Sequence, residues 1–156
     1  MKLTVGFQQS IVLMTLVATQ ADNQGLNIGV IASQMKVNES YLRKLARKLV
    51  EAGLLSSSRN KFSGYTLSKE PKEISLLDIF NAIEGAESFL SITDTIHQTF
   101  AGIQEDYVGK KMDEVLILLE QAEELYRQKL TTYTLEQLLP DEKSGFSSID
   151  WIALNK

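Results

Sequence analysis

The chain has 156 residues, 44% of them hydrophobic and 23% charged, with a single histidine and no cysteine, enough for one domain with a real core or a small domain with a helical appendage. Lacking cysteine, it can form no disulfide, thiolate metal site, cysteine-ligated iron–sulfur cluster or cysteine nucleophile, and a reducing, cytoplasmic setting fits. Residues 1–69 hold nine Lys or Arg against three acids and residues 70–156 seven against seventeen, so +6 and −10 make up the net −4, the balance expected of a polyanion-binding module joined to something acidic and structural.

Lys2 followed by "IVLMTLVA" (11–18) loosely imitates a signal peptide, but "GFQQS" (6–10) interrupts the apolar run. Phe7, Ile11, Met14 and Ala18 keep helical spacing, which predicts an amphipathic first helix. No apolar run approaches the roughly 18 residues of a membrane span, so a soluble protein without a membrane partner is expected.

"DNQG" (22–25) signals a turn, and "LNIGVIASQM" (26–35) reads as a short helix capped by Asn27 with Ile28, Ile31, Ala32 and Met35 inward. "KVN" (36–38) breaks it, and Asn38 suits the N-cap of a third helix, "ESYLRKLARKLVEAG" (39–53), stopped by Gly53. At 100° per residue Leu42, Leu45, Ala46 and Leu49 form one face, with Arg43, Lys44, Arg47 and Lys48 almost opposite. Two helices this close make a helix-turn-helix pattern.

"LLSSSRNKFSGYTL" (54–67) reads as a hairpin of Leu54–Ser58 and Tyr65–Leu67, with Arg59 and Lys61 projecting charge from its tip. A basic hairpin directly after a helix-turn-helix is a winged helix-turn-helix. A basic helix alone is also what an ordinary solvated surface would show; the basic hairpin beside it favours a polyanion.

The acidic half opens with a helix at 74–85, with Ser75 and Asp78 as a capping box and Gly85 as its stop. Residues 86–104 are ambiguous. From Glu105 to Leu130 a heptad seam runs through Val108, Met112, Val115, Leu119, Ala122 and Tyr126, widened by Leu116, Leu118 and Leu125, so this long helix is expected to bury one side on its own subunit and another on a partner. "TLEQLL" (134–139), with Thr134 and Gln137 as a second capping box, reads as a short closing helix. The tail carries Phe146, Ile149, Trp151, Ile152 and Leu154, too apolar for a plain solvated tail. The fold class is therefore mainly α with a small β-hairpin wing: a winged helix-turn-helix domain over 1–70, a helical dimerisation and sensor region over 71–140, and an apolar tail over 141–156.

Residues 41–85, "YLRKLARKLVEAGLLSSSRNKFSGYTLSKEPKEISLLDIFNAIEG", resemble the Rrf-two family of bacterial transcription regulators, which includes the IscR, NsrR and CymR types. The matching pattern is a YL-led helix ending in AGL, an S-x-R wing closing on G-Y-x-L, a proline, then I-S-L-L-D-I and E-G. "MKLT" and "TLEQLL" fit as well, extending the resemblance over most of 1–139. It implies a homodimer with crossing long helices, recognition helices in successive major grooves and wings at the minor groove. Carried over by position, the groove-facing residues are Ser40, Tyr41, Arg43 and Lys44, with Arg59 at the wing. Tyr41 also reads as a core-edge residue.

Three departures bear on function. The recognition helix of iron–sulfur members often has acidic and amide residues where this chain has Arg43 and Lys44, so a different operator is expected. The usual Gly-Gly of the wing is Ser63-Gly64 here, with Asn60 in place of another glycine. The three cysteines that hold a cluster just after E-G are absent, and His97 alone is no ligand set. The chain therefore looks like the cluster-free branch, needing no cofactor and responding to a small-molecule effector or a protein partner, or simply repressing.

Arg43 and Lys44, near the helix start, suit base edges, and Arg47 and Lys48, a turn later, suit phosphates. An enzyme is disfavoured: there is one histidine and no glycine-rich phosphate loop, and the carboxylates are spread along helix faces. The sequence-level conclusion is a dimeric repressor of double-stranded DNA targets. The rival is a protein-interaction module docking on a metabolic enzyme, with DNA binding secondary or lost. Phe89, Phe100, His97 and the Trp151 tail raise the further possibility of an effector pocket.

Overall fold

Thr4 opens the first helix: its Oγ1 accepts from the Phe7 amide at 3.3 Å, and α1 runs Val5–Thr19. The computed structural model describes residues 4–21, 24–58, 64–88, 90, 95–102, 105–140 and 148–155. Helix α1 is apolar on nearly every side and buries Phe7, Ser10, Leu13, Met14 and Val17, whereas Ile11 and Ala18, expected inward, are half-buried. It is thus not the amphipathic helix expected. Where apolar residues stand all round, spacing cannot select a face, and the packing of α1 on the other helices selects it instead.

Helix α2, Ile28–Met35, starts at Asn27, whose Oδ1 accepts from the Val30 amide at 3.0 Å, and ends at Lys36 in the left-handed conformation, φ 54°. Two residues later Asn38 Oδ1 accepts from the Tyr41 amide at 3.2 Å and starts α3, Glu39–Glu51. Leu42, Leu45, Ala46 and Leu49 are all buried, as their spacing requires. Helix α3 closes in a Schellman motif: the Gly53 amide donates to Val50 O and the Leu54 amide to Leu49 O, both at 2.9 Å, with Gly53 at φ 69°.

Strands β1, Leu55–Ser58, and β2, Gly64–Leu67, pair antiparallel with Leu55 opposite Leu67 and Ser58 opposite Gly64. Leu26 adds a single antiparallel rung on β2, exchanging both backbone hydrogen bonds with Tyr65 at 3.0 and 2.9 Å. This approach leaves no room at position 64: a Cβ there would lie 2.6 Å from the Gly25 carbonyl carbon. The wing tip, with Arg59, Asn60 and Lys61, lies outside the described residues.

A 3-10 turn at Pro71–Glu73 leads into α4, Leu76–Glu84. The Ser75/Asp78 capping box is present: the Asp78 amide donates to Ser75 Oγ at 3.1 Å and the Ser75 amide to Asp78 Oδ2 at 2.8 Å. Gly85, φ 101°, ends the helix. Phe80 of α4 meets Phe7 of α1 edge to face, centroids 5.5 Å apart.

The chain clusters into two compact units, one drawn from Lys2–Ala86 with Leu130–Lys156 and the other from Glu87–Lys129. In the first, the segment after the long helix returns to α4: the Leu76 amide donates to Tyr133 O at 2.9 Å and the Leu135 amide to Ile74 O at 2.8 Å, with Ile74 and Leu135 fully buried. The Thr134/Gln137 box forms, but the turn it opens, Leu135–Leu138, is a 3-10 turn. The tail ends on α1: the Ile149 amide donates to Thr19 O at 2.8 Å, the Trp151 indole Nε1 to Thr19 Oγ1 at 3.0 Å, and α7, Trp151–Leu154, starts from Asp150.

The second unit holds α5, Thr95–Phe100, and most of α6, Glu105–Thr131. Glu123, buried, accepts from Ser88 Oγ at 2.6 Å and from Arg127 Nε at 2.8 Å, and Arg127 donates to Glu87 O at 2.6 Å. This pair pins the segment after Gly85 to α6; removing one partner would strand a buried charge. Phe89, Phe146 and the side chains of His97 and Phe100 lie outside the described residues.

Candidate nucleic-acid interface

The buried leucines of α3 fix which of its side chains face outward. On the helical wheel Ser40, Lys44 and Arg47 stand opposite the buried face and Arg43 flanks them on one side, while Tyr41 and Lys48 lie on the other shoulder. All six are exposed to some degree, but their surroundings divide them.

Arg43 pairs with Glu39, and Arg47 Nε with Glu51 Oε1 at 2.8 Å, each acid four residues away on the same helix. Lys44 makes no ion pair among the described residues. Lys48 Nζ instead donates to Ile83 O at 2.6 Å, at the last turn of α4. Tyr41 is 40% exposed with its hydroxyl turned toward α1, 3.1 Å from where a Cβ on Gly6 would stand. Of the residues expected at DNA, Ser40, Arg43, Lys44 and Arg47 form one outward cluster; Tyr41 and Lys48 lean toward α1 and α4.

The two acids were missed in the sequence reading. Glu39–Arg43 and Arg47–Glu51 are i,i+4 pairs, so charge spacing alone could have found them.

On α6, Val108, Met112 and Tyr126 of the heptad set are half-buried, Ala122 is exposed, and Val115 and Leu119 are each 43% exposed. Tyr107, Leu118 and Leu125 extend the same side of the helix, each more than 60% exposed.

Residues 3–141 match the family described as Rrf2, iron-dependent transcriptional regulator. The chain belongs to the Rrf2 family. The likeness runs through whole chains: it is 30% identical over 148 residues to YffB of Lactococcus lactis, an HTH-type transcriptional regulator by name, covering 94% of this chain and 92% of that one. It is 29% identical over 94 residues to the HTH-type transcriptional regulator CymR of Bacillus subtilis, 60% of this chain and 68% of that. Among solved structures, oxidized Staphylococcus aureus CymR superposes with a TM-score of 0.62 at 26% identity, covering 90% of this chain and 98% of that one. T. potens IscR shares the fold, with a TM-score of 0.62 at 21% identity over 88% and 85% of the two chains. The architecture is thus the winged helix of this Rrf2 family of transcriptional regulators, and among the described residues no helix is long and apolar enough to cross a membrane.

Iron is part of the family's description, but this chain offers it little. It contains no cysteine and one histidine, and among the described residues no three His, Asp or Glu side chains converge as a metal site requires. The residues present do not fit a thiolate-held iron cluster.

Proposed function

We propose that this Rrf2 protein is a cytoplasmic, homodimeric, sequence-specific DNA-binding repressor that works without an iron–sulfur sensor. The observation that carries the reading is the outward cluster of Ser40, Arg43, Lys44 and Arg47, held rigidly opposite four buried apolar residues of α3. A recognition helix presents the residues of its first turns to base edges in the major groove, and Arg pairs bidentately with guanine. Arg43 and Lys44 take that role; Arg47, a turn on, takes a phosphate. The wing residues Arg59 and Lys61 add charge toward the minor groove, and the apolar stripe of α6 joins two copies.

The lack of cysteine supports a signal other than a cluster, either a small molecule or a protein partner. A cleft of about 570 Å³ between the end of α1 and the segment after β2, lined by Val17, Gln20, Thr66, Lys69 and Glu73 among others, is where a small molecule would be sought first. Beside it the Lys72 ammonium, hydrogen-bonded to Glu70, lowers that carboxyl's pKa, and Glu70 in turn raises that of Lys72.

The test is a titration of the full-length protein against a labelled duplex from its own upstream region and a scrambled duplex, at two salt concentrations. Tight binding that prefers the native duplex and weakens steeply with salt is expected. Weak, equal binding to both would overturn the reading in favour of docking on a protein.

A further inference from the structure

The outward face of α3 is less positive than its four basic residues suggest. Both arginines are held by acids of the same helix, Arg43 by Glu39 and Arg47 by Glu51, and Lys48 is turned onto α4. That leaves Lys44 as the one basic side chain of α3 with no partner among the described residues. The acids stand in the first and last turns of α3, Glu51 on the outward face beside Arg47 and Glu39 on the flank beyond Arg43, so each arginine meets an approaching duplex with a carboxylate beside it.

From this arrangement we propose that Glu39 and Glu51 are specificity-determining residues, which hold Arg43 and Arg47 off DNA of arbitrary sequence and yield them only where a matching site seats the helix, Arg43 to a base and Arg47 to a phosphate of that site. The inference rests on the DNA-binding reading above. An exposed i,i+4 pair is weak and easily exchanged, so a guanine edge that offers Arg43 two aligned acceptors displaces the acid readily. A phosphate on arbitrary sequence offers only charge, and the carboxylate both competes for the arginine and repels the phosphate. On random DNA the pairs stay closed, so that duplex gains no arginine contact and still meets the carboxylates' repulsion, whereas on the operator the weak pairs open at little cost, so the pairs widen the gap between operator and bulk DNA.

The alternatives make different predictions. If the acids served only to orient the arginines for reading, removing them would weaken binding to the matched site. If they served only to lower net charge, removing them would tighten binding to matched and unmatched DNA by the same factor.

The experiment uses the full-length chain and its Glu39→Gln, Glu51→Gln and double variants, each first checked for wild-type melting. Each is titrated against a duplex from the gene's own upstream region and against a random-sequence duplex of equal length, at two salt concentrations. For each single variant, binding to the random duplex should tighten about three- to tenfold, with the plot of log affinity against log salt steeper by about one. Binding to the upstream duplex should change less than twofold, so discrimination falls. Unchanged binding to random DNA, equal tightening on both duplexes, or weaker binding to the upstream duplex would each overturn the proposal. If the wild type itself fails to prefer the upstream duplex, the DNA-binding reading falls, and this inference with it.

Discussion

Lys48 Nζ donates to the carbonyl oxygen of Ile83 at 2.6 Å, tying α3 to the last turn of α4. The last carbonyls of a helix lack intrahelical partners and carry the negative end of its dipole, so an ammonium there is stabilising. A lysine at this spacing was expected at a phosphate; here the contact it makes lies within the protein. Lys48→Met keeps the aliphatic stem and removes the donor. It is expected to lower stability by about 1 kcal/mol in urea unfolding while leaving the salt dependence of DNA binding unchanged. A slope shallower by about one would make Lys48 a phosphate contact after all.

Gly64→Ala tests the close approach of the wing to the segment before α2. The added methyl would meet the Gly25 and Leu26 backbone at 2.6–2.7 Å, and φ at this position is +154°. Backbone cannot give way as a flexible side chain can, so the Leu26–Tyr65 rung must open. A loss of about 2–4 kcal/mol is expected by urea unfolding. A variant as stable as wild type would mean that the rung is not formed in solution.

What the sequence made legible was local. Asn27, Asn38 and Ser75 as caps, Gly53 and Gly85 as stops, and the inward leucines of α3 are all decided within about one turn of chain, where spacing and hydrogen-bonding chemistry suffice. The remainder depends on partners distant in sequence. Periodicity placed Lys48 on the polar side of α3, and the family resemblance placed Tyr41 at the groove with a core-edge reading beside it; only the presence of α4 and α1 beside that shoulder turns one onto Ile83 and the other toward Gly6. The face of α1 was illegible because nearly all of its faces are apolar. The apolar tail was expected to be more than a solvated end; the structure pairs it with Thr19 and Ala21 and leaves Ile149, Trp151 and Ile152 half-buried and Leu154 exposed.

That pairing makes Trp151, the single tryptophan, a reporter of tail docking. Its indole donates to Thr19 Oγ1 and its amide to Gln20 Oε1 at 3.1 Å. Trp151→Phe keeps most of the ring contact and loses one hydrogen bond, for an expected cost of about 1 kcal/mol. In the unmodified protein, unfolding followed by tryptophan fluorescence and by far-ultraviolet circular dichroism should coincide, because the tail is hydrogen-bonded to the end of α1 within the same compact unit. An earlier fluorescence transition would show instead that the tail opens as a separate, weaker unit.

The apolar stripe of α6 yields the last test. Val115, Leu118 and Leu119 lie within roughly a third of the helix circumference, whereas Ile117, 54% exposed, points to the opposite side. If the stripe joins two copies, a charge placed in it loses its hydration on association with nothing to pair with. Leu119→Arg should therefore weaken the dimer by about 3 kcal/mol, or on the order of a hundredfold, seen by sedimentation equilibrium. Operator affinity should fall with it, because each monomer reads only half a site. Ile117→Arg introduces the same charge off the stripe and should leave the dimer intact. Equal effects of the two substitutions would move the interface elsewhere, and no effect of either would mean that the stripe does not join the copies.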